Sequence, residues 1–226
     1  MSIGVNVVSE GKHDDVFIVT SVITPTTKPL CYNPIRSFYT PEERADQTLK
    51  TIVSIREHHP NNCKIVVVEL GLDKKIAFDT LARDSDTILY LGNVFWVRWA
   101  CDTKYKGLGE AIGLLAASSY LKDKGSYFYK VSGRYYLTHD YNMLLWNQKL
   151  FNFKRYNADI STRLYGFPIE YFTCWQKALA KAIPLLMLGK QIETALPKYI
   201  LKEHVNYIDQ LGIEGHVGPD GFLLNE

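Results

Sequence analysis

Apolar runs and amphipathic stretches alternate along the first 140 residues of the chain. Residues 15–23, DVFIVTSVI, form a short β-branched run that reads as a buried first strand. A polar connection containing Pro25, Pro29 and Pro34 follows, over residues 24–39. Thr40-Pro41-Glu42-Glu43 then opens a helix: threonine at the N-cap, proline at the first helical position and glutamate at the third. That helix runs to about His59, with Leu49, Ile52, Val53 and Ile55 available for the core. Residues 63–70, CKIVVVEL, give a second strand with the unbroken apolar character of an interior parallel strand.

A short helix is expected over 74–83, a third strand over 87–91, an Ala- and Leu-rich helix over 107–124 and a fourth strand over 126–132. This order points to an α/β fold with a mostly parallel, Rossmann-like sheet flanked by helices. Beyond Asp140 the pattern loosens. Residues 169–183 and 193–211 read as helical, with a break near Pro184, so a helical C-terminal elaboration is expected. One domain over 1–226 accommodates this, with about 15–140 as the ligand-binding half and about 141–226 added to it.

Composition narrows the function classes. The chain has 226 residues, 46% hydrophobic and 22% charged, which is ordinary for a folded domain. Its 26 basic and 24 acidic side chains leave a net charge of +2, too even for a protein held to nucleic acid by counterion release. Cys31, Cys63, Cys101 and Cys174 are far apart and form no C-x-x-C pair, which fits reduced thiols in a cytoplasmic protein. The first fifteen residues lack a basic and apolar leader, and no apolar run reaches the roughly 20 residues of a spanning helix, so no transmembrane segment is expected.

In an open parallel sheet, ligands bind beyond the carboxyl ends of the strands. Those ends select residues 20–44, 69–74, 92–110 and 130–136. The first begins at Thr20, contains Arg36 and ends with Arg44 in the first helical turn, where a cation opposes the helix dipole. An anionic ligand at that edge and a solvated surface arginine both fit. In KYKGLGEA, Lys106 precedes Gly107, Gly109 and Glu110 at a helix start, where exposed N–H groups favour phosphate; the spacing matches neither a Walker A loop nor a dinucleotide fingerprint. In KVSGRYY, Lys130, Ser132, Gly133, Arg134 and Tyr135 stand at the end of the fourth strand. Two buried cations there are costly unless they meet anions, which a ligand diphosphate or local carboxylates would supply.

KGLGEA followed at the fourth strand by YFYKVSGRYYL resembles the GT-A type of glycosyltransferase, and RSFYTPEERADQTLKTIVSIREHHP has the same likeness. More narrowly, the chain is similar to small glycosyltransferase-like proteins of bacteria and large DNA viruses in which K-x-S-G-R-Y replaces the metal-binding DXD. The likeness spans about Val16 to Tyr136; further on, only IETALPKYI and LGIEGHVGPDG follow it loosely. It implies a nucleotide-sugar donor as co-substrate, a glycan or glycoconjugate acceptor, and no metal or other cofactor, since Lys130 and Arg134 replace the carboxylates that would hold the ion. Asp84-Ser85-Asp86 spells D-x-D but precedes the third strand, at the opposite edge of the sheet. Among Asp159, Glu170, Glu193, His204, His216 and Asp220, Glu193 is the choice for a catalytic base because IETALPKYI carries the likeness; a charge complementing a helix N-terminus also explains it. Arg163 and Tyr165, in STRLYGFP, are candidate acceptor contacts or surface-loop residues. A catalytically inactive nucleotide-sugar-binding module is the alternative function. A Rossmann methyltransferase or dehydrogenase is disfavoured because no glycine-rich turn follows the first strand.

Overall fold

The computed structural model describes residues 4–7, 15–156, 159–217 and 221–226. In chain order its strands and helices are β1 (Gly4–Val7), β2 (Asp15–Ser21), α1 (Pro41–His58), β3 (Cys63–Glu69), α2 (Lys74–Leu81), β4 (Thr87–Tyr90), α3 (Phe95–Asp102), α4 (Lys106–Leu121), β5 (Tyr127–Ser132), β6 (Tyr135–Leu137), β7 (Phe151–Tyr156), β8 (Asp159–Ile160), β9 (Leu164–Pro168), α5 (Phe172–Met187), α6 (Ile192–Ala195), β10 (Val205–Ile208), β11 (Ile213–His216) and β12 (Leu223–Asn225). The large sheet runs β1-β4-β3-β2-β5-β9-β7-β10, with β8 beside β7; β12-β11-β6 forms a small second sheet. Strands β4, β3, β2 and β5 are mutually parallel. Strand β9 pairs antiparallel with β5, carrying the sheet into the later part of the chain.

Both faces of the parallel core are covered, which is why its strands read as unbroken apolar runs. Along β2, Val16 and Ile18 pack with α4 and α5 on one face, while Phe17 and Val19 pack with α1 and α2 on the other. The predicted capping box of α1 is formed: Thr40 Oγ1 accepts from Glu43 N at 3.2 Å, and Glu43 Oε2 accepts from Thr40 N at 2.8 Å. Such a cap stabilises a helix by about 1 kcal/mol.

The later part departs from the expected helices. Helix α5 passes through Pro184 and ends at Gly189, whose φ of 85° suits the left-handed cap. Gly189 N donates to Leu186 O and Lys190 N to Leu185 O, both at 3.0 Å, the paired bonds of a Schellman motif. The helix expected over 193–211 is replaced by the four-residue α6, 3₁₀ turns containing Pro197, and β10, which pairs parallel with β7. Strands β7 and β9 likewise lie where no strand was expected. Helix α3, FWVRWACD, was read only as part of a strand-to-helix connection.

Candidate functional site

The parallel strands stand in the order β4-β3-β2-β5, so the chain leaves β2 toward β3 on one side and reaches β5 on the other. Their carboxyl ends part there, the usual ligand crevice of such sheets. Thr20 of β2 is in register with Ser132 of β5. Above this pair lies a cavity of about 190 Å³. Helix α1 contributes Arg44 and Thr48, α3 contributes Arg98 and Cys101, and α4 contributes Lys106, Gly109 and Glu110. The turn after β5 adds Ser132, Gly133, Arg134 and Tyr135; Arg36, Thr162, Arg163 and Glu193 complete the charged and polar lining with Thr20, Ser21 and Thr26. Six cations and two carboxylates therefore face one small space.

Three of the cations are held by the protein itself. Arg36 donates to the carbonyls of Lys28 and Thr103. Arg98 Nε donates to Asp102 Oδ1 at 2.8 Å and its Nη1 to Leu70 O at 3.2 Å. Arg163 pairs with Glu226 at 2.8 Å and donates to Tyr135 Oη at 3.2 Å.

The other three lack such compensation. Arg44 is buried and donates only to neutral oxygens, Val22 O at 2.5 Å and Ser37 Oγ at 3.0 Å. Burial, then the nearby Arg134 charge, pull its pKa down to about 9 against the pull of Glu69. Among the described residues no carboxylate lies in ion-pair contact with Arg134 or with Lys106. Lys106 lines the cavity and is itself an exposed residue. The charge of Arg134, followed by desolvation, brings its ammonium down to about 7, with Glu110 and Glu193 opposing. Three like charges thus crowd one cavity, an arrangement that an anion would relieve.

The turn Lys130–Tyr135 divides differently from the expectation. Lys130 is fully buried beneath the cavity and does not line it. Its Nζ pairs with Glu110 Oε1 and donates to Thr162 O at 2.8 Å and Ser132 Oγ at 3.0 Å. Local partners therefore answer its charge, as one of the two readings of this stretch allowed. Burial would raise the Glu110 carboxyl, but Lys130, with Lys106 and Arg134 behind it, holds it below the usual range. Gly133 needs no left-handed backbone; a Cβ there would lie 3.0 Å from Thr48 Oγ1 and 3.2 Å from Thr20 O.

Of the two glycines of KGLGEA, Gly109 lines the cavity and Gly107 is corrected. A Cβ on Gly109 would meet Cys101 Sγ at 3.0 Å, and one on Gly107 would meet Ile192 Cβ at 3.3 Å. Both serve the packing of α4 against α3 and α6, and Gly107 lies outside the cavity lining. Tyr165 is a core residue, buried and accepting a hydrogen bond from Trp175 Nε1 at 3.0 Å, so it offers nothing to an acceptor.

Glu193 does reach the cavity, and its Oε1 accepts from Thr162 Oγ1 at 2.9 Å. Of the competing bases, Asp159 is bonded by Thr194 Oγ1 at 3.1 Å and His204 lies against the Tyr171 ring, both outside the lining. Glu170 is also outside it. His216 lines a neighbouring cavity, which shares Arg134 with the first. Asp220 falls outside the described residues. Asp86 is occupied by Arg56 at 2.6 Å and Ile65 N at 2.7 Å, far from the crevice at the start of β4, as expected for the D-x-D decoy. The sequence reading missed Arg98, Thr48 and Thr162; Arg98 was visible only as the lone cation of an aromatic-rich segment.

No protein-family model and no curated protein sequence matches the chain. Among solved structures, the fold is similar to that of the galactosyltransferase LgtC in complex with donor and acceptor sugar analogs, with a TM-score of 0.48 and 11% sequence identity over 86% of this chain and 72% of that one.

Proposed function

We propose that the cavity binds the diphosphate of a nucleotide sugar and that the chain transfers the sugar to an acceptor hydroxyl on a glycan or glycoconjugate. The observation that carries this reading is the convergence of Arg44, Lys106 and Arg134, with no carboxylate contact among the described residues, on the crevice between β2 and β5. A monoanion would leave most of that charge unanswered; a diphosphate meets it. The likeness of the KGLGEA and KVSGRYY segments to GT-A glycosyltransferases implies the same ligand.

In this mechanism the bond from the sugar's anomeric carbon to the diphosphate breaks as the acceptor oxygen bonds to that carbon. Negative charge accumulates on the leaving diphosphate, where the three cations stabilise it without any reorganisation of solvent. Glu193, held by Thr162, takes the proton of the acceptor hydroxyl. A cationic cluster in place of paired carboxylates supports transfer without a divalent ion. Residues 15–140 supply most of the donor side, while Thr162, Arg163 and Glu193 come from 141–226, the proposed acceptor side.

Calorimetric titration with nucleoside mono- and diphosphates and with nucleotide sugars, in the presence of chelator, tests the reading. Diphosphates should bind more tightly than monophosphates, and chelator should change neither binding nor sugar release. Equal affinity for mono- and diphosphate would remove the assignment.

A further inference from the structure

Helix α3, which lines the cavity through Arg98 and Cys101, carries an exposed aromatic face. Phe95 is 72% exposed, Trp96 57% and Trp99 48%. Positions 95 and 99 are one turn apart and 96 adjoins them, so the three rings form one patch. The loop over residues 24–39 is fastened to the end of this helix: Cys31 N donates to Lys104 O at 3.0 Å, and Lys28 Nζ lies 3.5 Å from Asp102 Oδ2. In that loop Tyr32, next to Cys31, is 60% exposed. Of the five cations across residues 24–39 and 92–106, Arg36, Arg98 and Lys106 line the cavity, which leaves the exposed Lys28 and Lys104 beside the rings; the one carboxylate, Asp102, is engaged by both Arg98 and Lys28.

We infer that this patch is a membrane-docking surface that seats the protein on a bilayer carrying anionic headgroups. Indole and phenol rings flanked by lysines suit the interface, where rings enter the headgroup region and ammonium groups meet phosphate. A protein partner fits less well, because lysine is depleted from the centre of protein interfaces. The patch also forms no groove that would receive a segment; it is the outer face of an eight-residue helix. No helix among the described residues is long and apolar enough to cross a membrane, so contact of this kind would be peripheral. The inner side of α3 lines the cavity through Arg98 and Cys101, so the docked helix would be one wall of the cavity. The inference concerns docking alone and holds whatever reaction the cavity supports.

Flotation of the full chain with vesicles tests it, using phosphatidylcholine alone and phosphatidylcholine with one-third phosphatidylglycerol. The wild-type chain should float with the anionic vesicles, lose binding in high salt, and show a blue-shifted tryptophan emission when bound. Trp96→Ser with Trp99→Ser should weaken binding at least about tenfold, since the interfacial contact scales with apolar area. Lys28→Gln with Lys104→Gln should weaken it as well; the Lys28–Asp102 pair is exposed, so the melting temperature of both variants should change little. The inference is overturned by no flotation of the wild type, by equal binding to neutral vesicles, or by indifference to the tryptophan substitutions. Self-association that the tryptophan substitutions abolish, without flotation, would instead assign the patch to a second copy of the chain.

Discussion

Lys106 and Arg134 approach the same cavity from opposite sides, one from the first turn of α4 and one from the turn after β5, and the charge of Arg134 is the largest influence lowering the lysine to about 7. An anion between them would restore the ammonium. Below pH 7 the empty site already carries that proton; above it, binding must take one up. Affinity for a nucleotide sugar, whose diphosphate diester does not titrate near neutrality, should therefore be flat at acid pH and fall by up to about tenfold per unit above pH ~7. Lys106→Met should bind more weakly and lose this dependence. The folded protein also gives up this proton before the unfolded chain, so the group's contribution to stability rises with pH between about 7 and the ordinary lysine range. Titrations of both proteins across neutrality check the prediction; identical pH profiles would refute it.

Arg134 separates chemistry from packing. With no carboxylate partner among the described residues, its removal leaves no buried charge behind and relieves Lys106 and Arg44. Arg134→Ala should leave the melting temperature unchanged or raised, while donor affinity or turnover falls by about 2–4 kcal/mol, the scale of a lost charge-assisted clamp in a site with little water. Arg134→Lys should recover only part, since an ammonium lacks the planar fork. A destabilised variant that still binds donor normally would place the residue in the fold instead.

Lys130, four residues earlier, should behave in the opposite way. Removing its ammonium strands Glu110 as an unpaired carboxylate under the cavity and leaves Thr162 O without its donor. Lys130→Met should cost about 3–5 kcal/mol of folding stability, as breaking a buried pair from one side does. Replacing both partners, with Glu110→Gln added, should recover a good part of it. Urea unfolding of the single and double variants measures the coupling; a stability loss below about 1 kcal/mol for Lys130→Met would mean that the pair is dispensable.

The contrast between these two residues shows what the sequence could carry. The parallel strands were legible because burial on both faces leaves continuous apolar runs, and α1 because Thr40, Pro41 and Glu43 meet the local needs of a helix start. The crevice followed from strand order, which brought Arg36, Arg44, Lys106, Arg134, Arg163 and Glu193 to one cavity. Which cation faces the ligand was not legible, because the sequence does not show that Lys130, inside β5, meets Glu110 of α4 while Arg134 lies in the turn beyond the strand. Gly107 read as a phosphate-loop glycine, yet it lies outside the cavity lining and the space it leaves is filled by Ile192. The stretch 193–211 failed for another reason. Its apolar residues suit a helix, but pairing of Val205–Ile208 with β7 sets the backbone there.

On the proposed mechanism, Glu193 is the residue on which transfer, as distinct from binding, would depend. It lines the cavity at the start of α6, and Thr162 Oγ1 donates to it at 2.9 Å. As the base for the acceptor hydroxyl, Glu193→Gln should keep the fold and donor affinity, because the amide oxygen still accepts from Thr162, while kcat falls by about 10²–10⁴. Thr162→Val removes only the hydroxyl that orients the carboxylate, so its loss in kcat should be smaller, with the pH profile of the remaining activity unaltered. A charge that merely complements the four-residue helix predicts something else: Glu193→Gln would lower the melting temperature slightly and leave turnover intact. Single-turnover transfer, measured with saturating donor so that binding does not enter, discriminates between the two. Undiminished transfer by Glu193→Gln would move the search for the base to His216, across Arg134 in the neighbouring cavity.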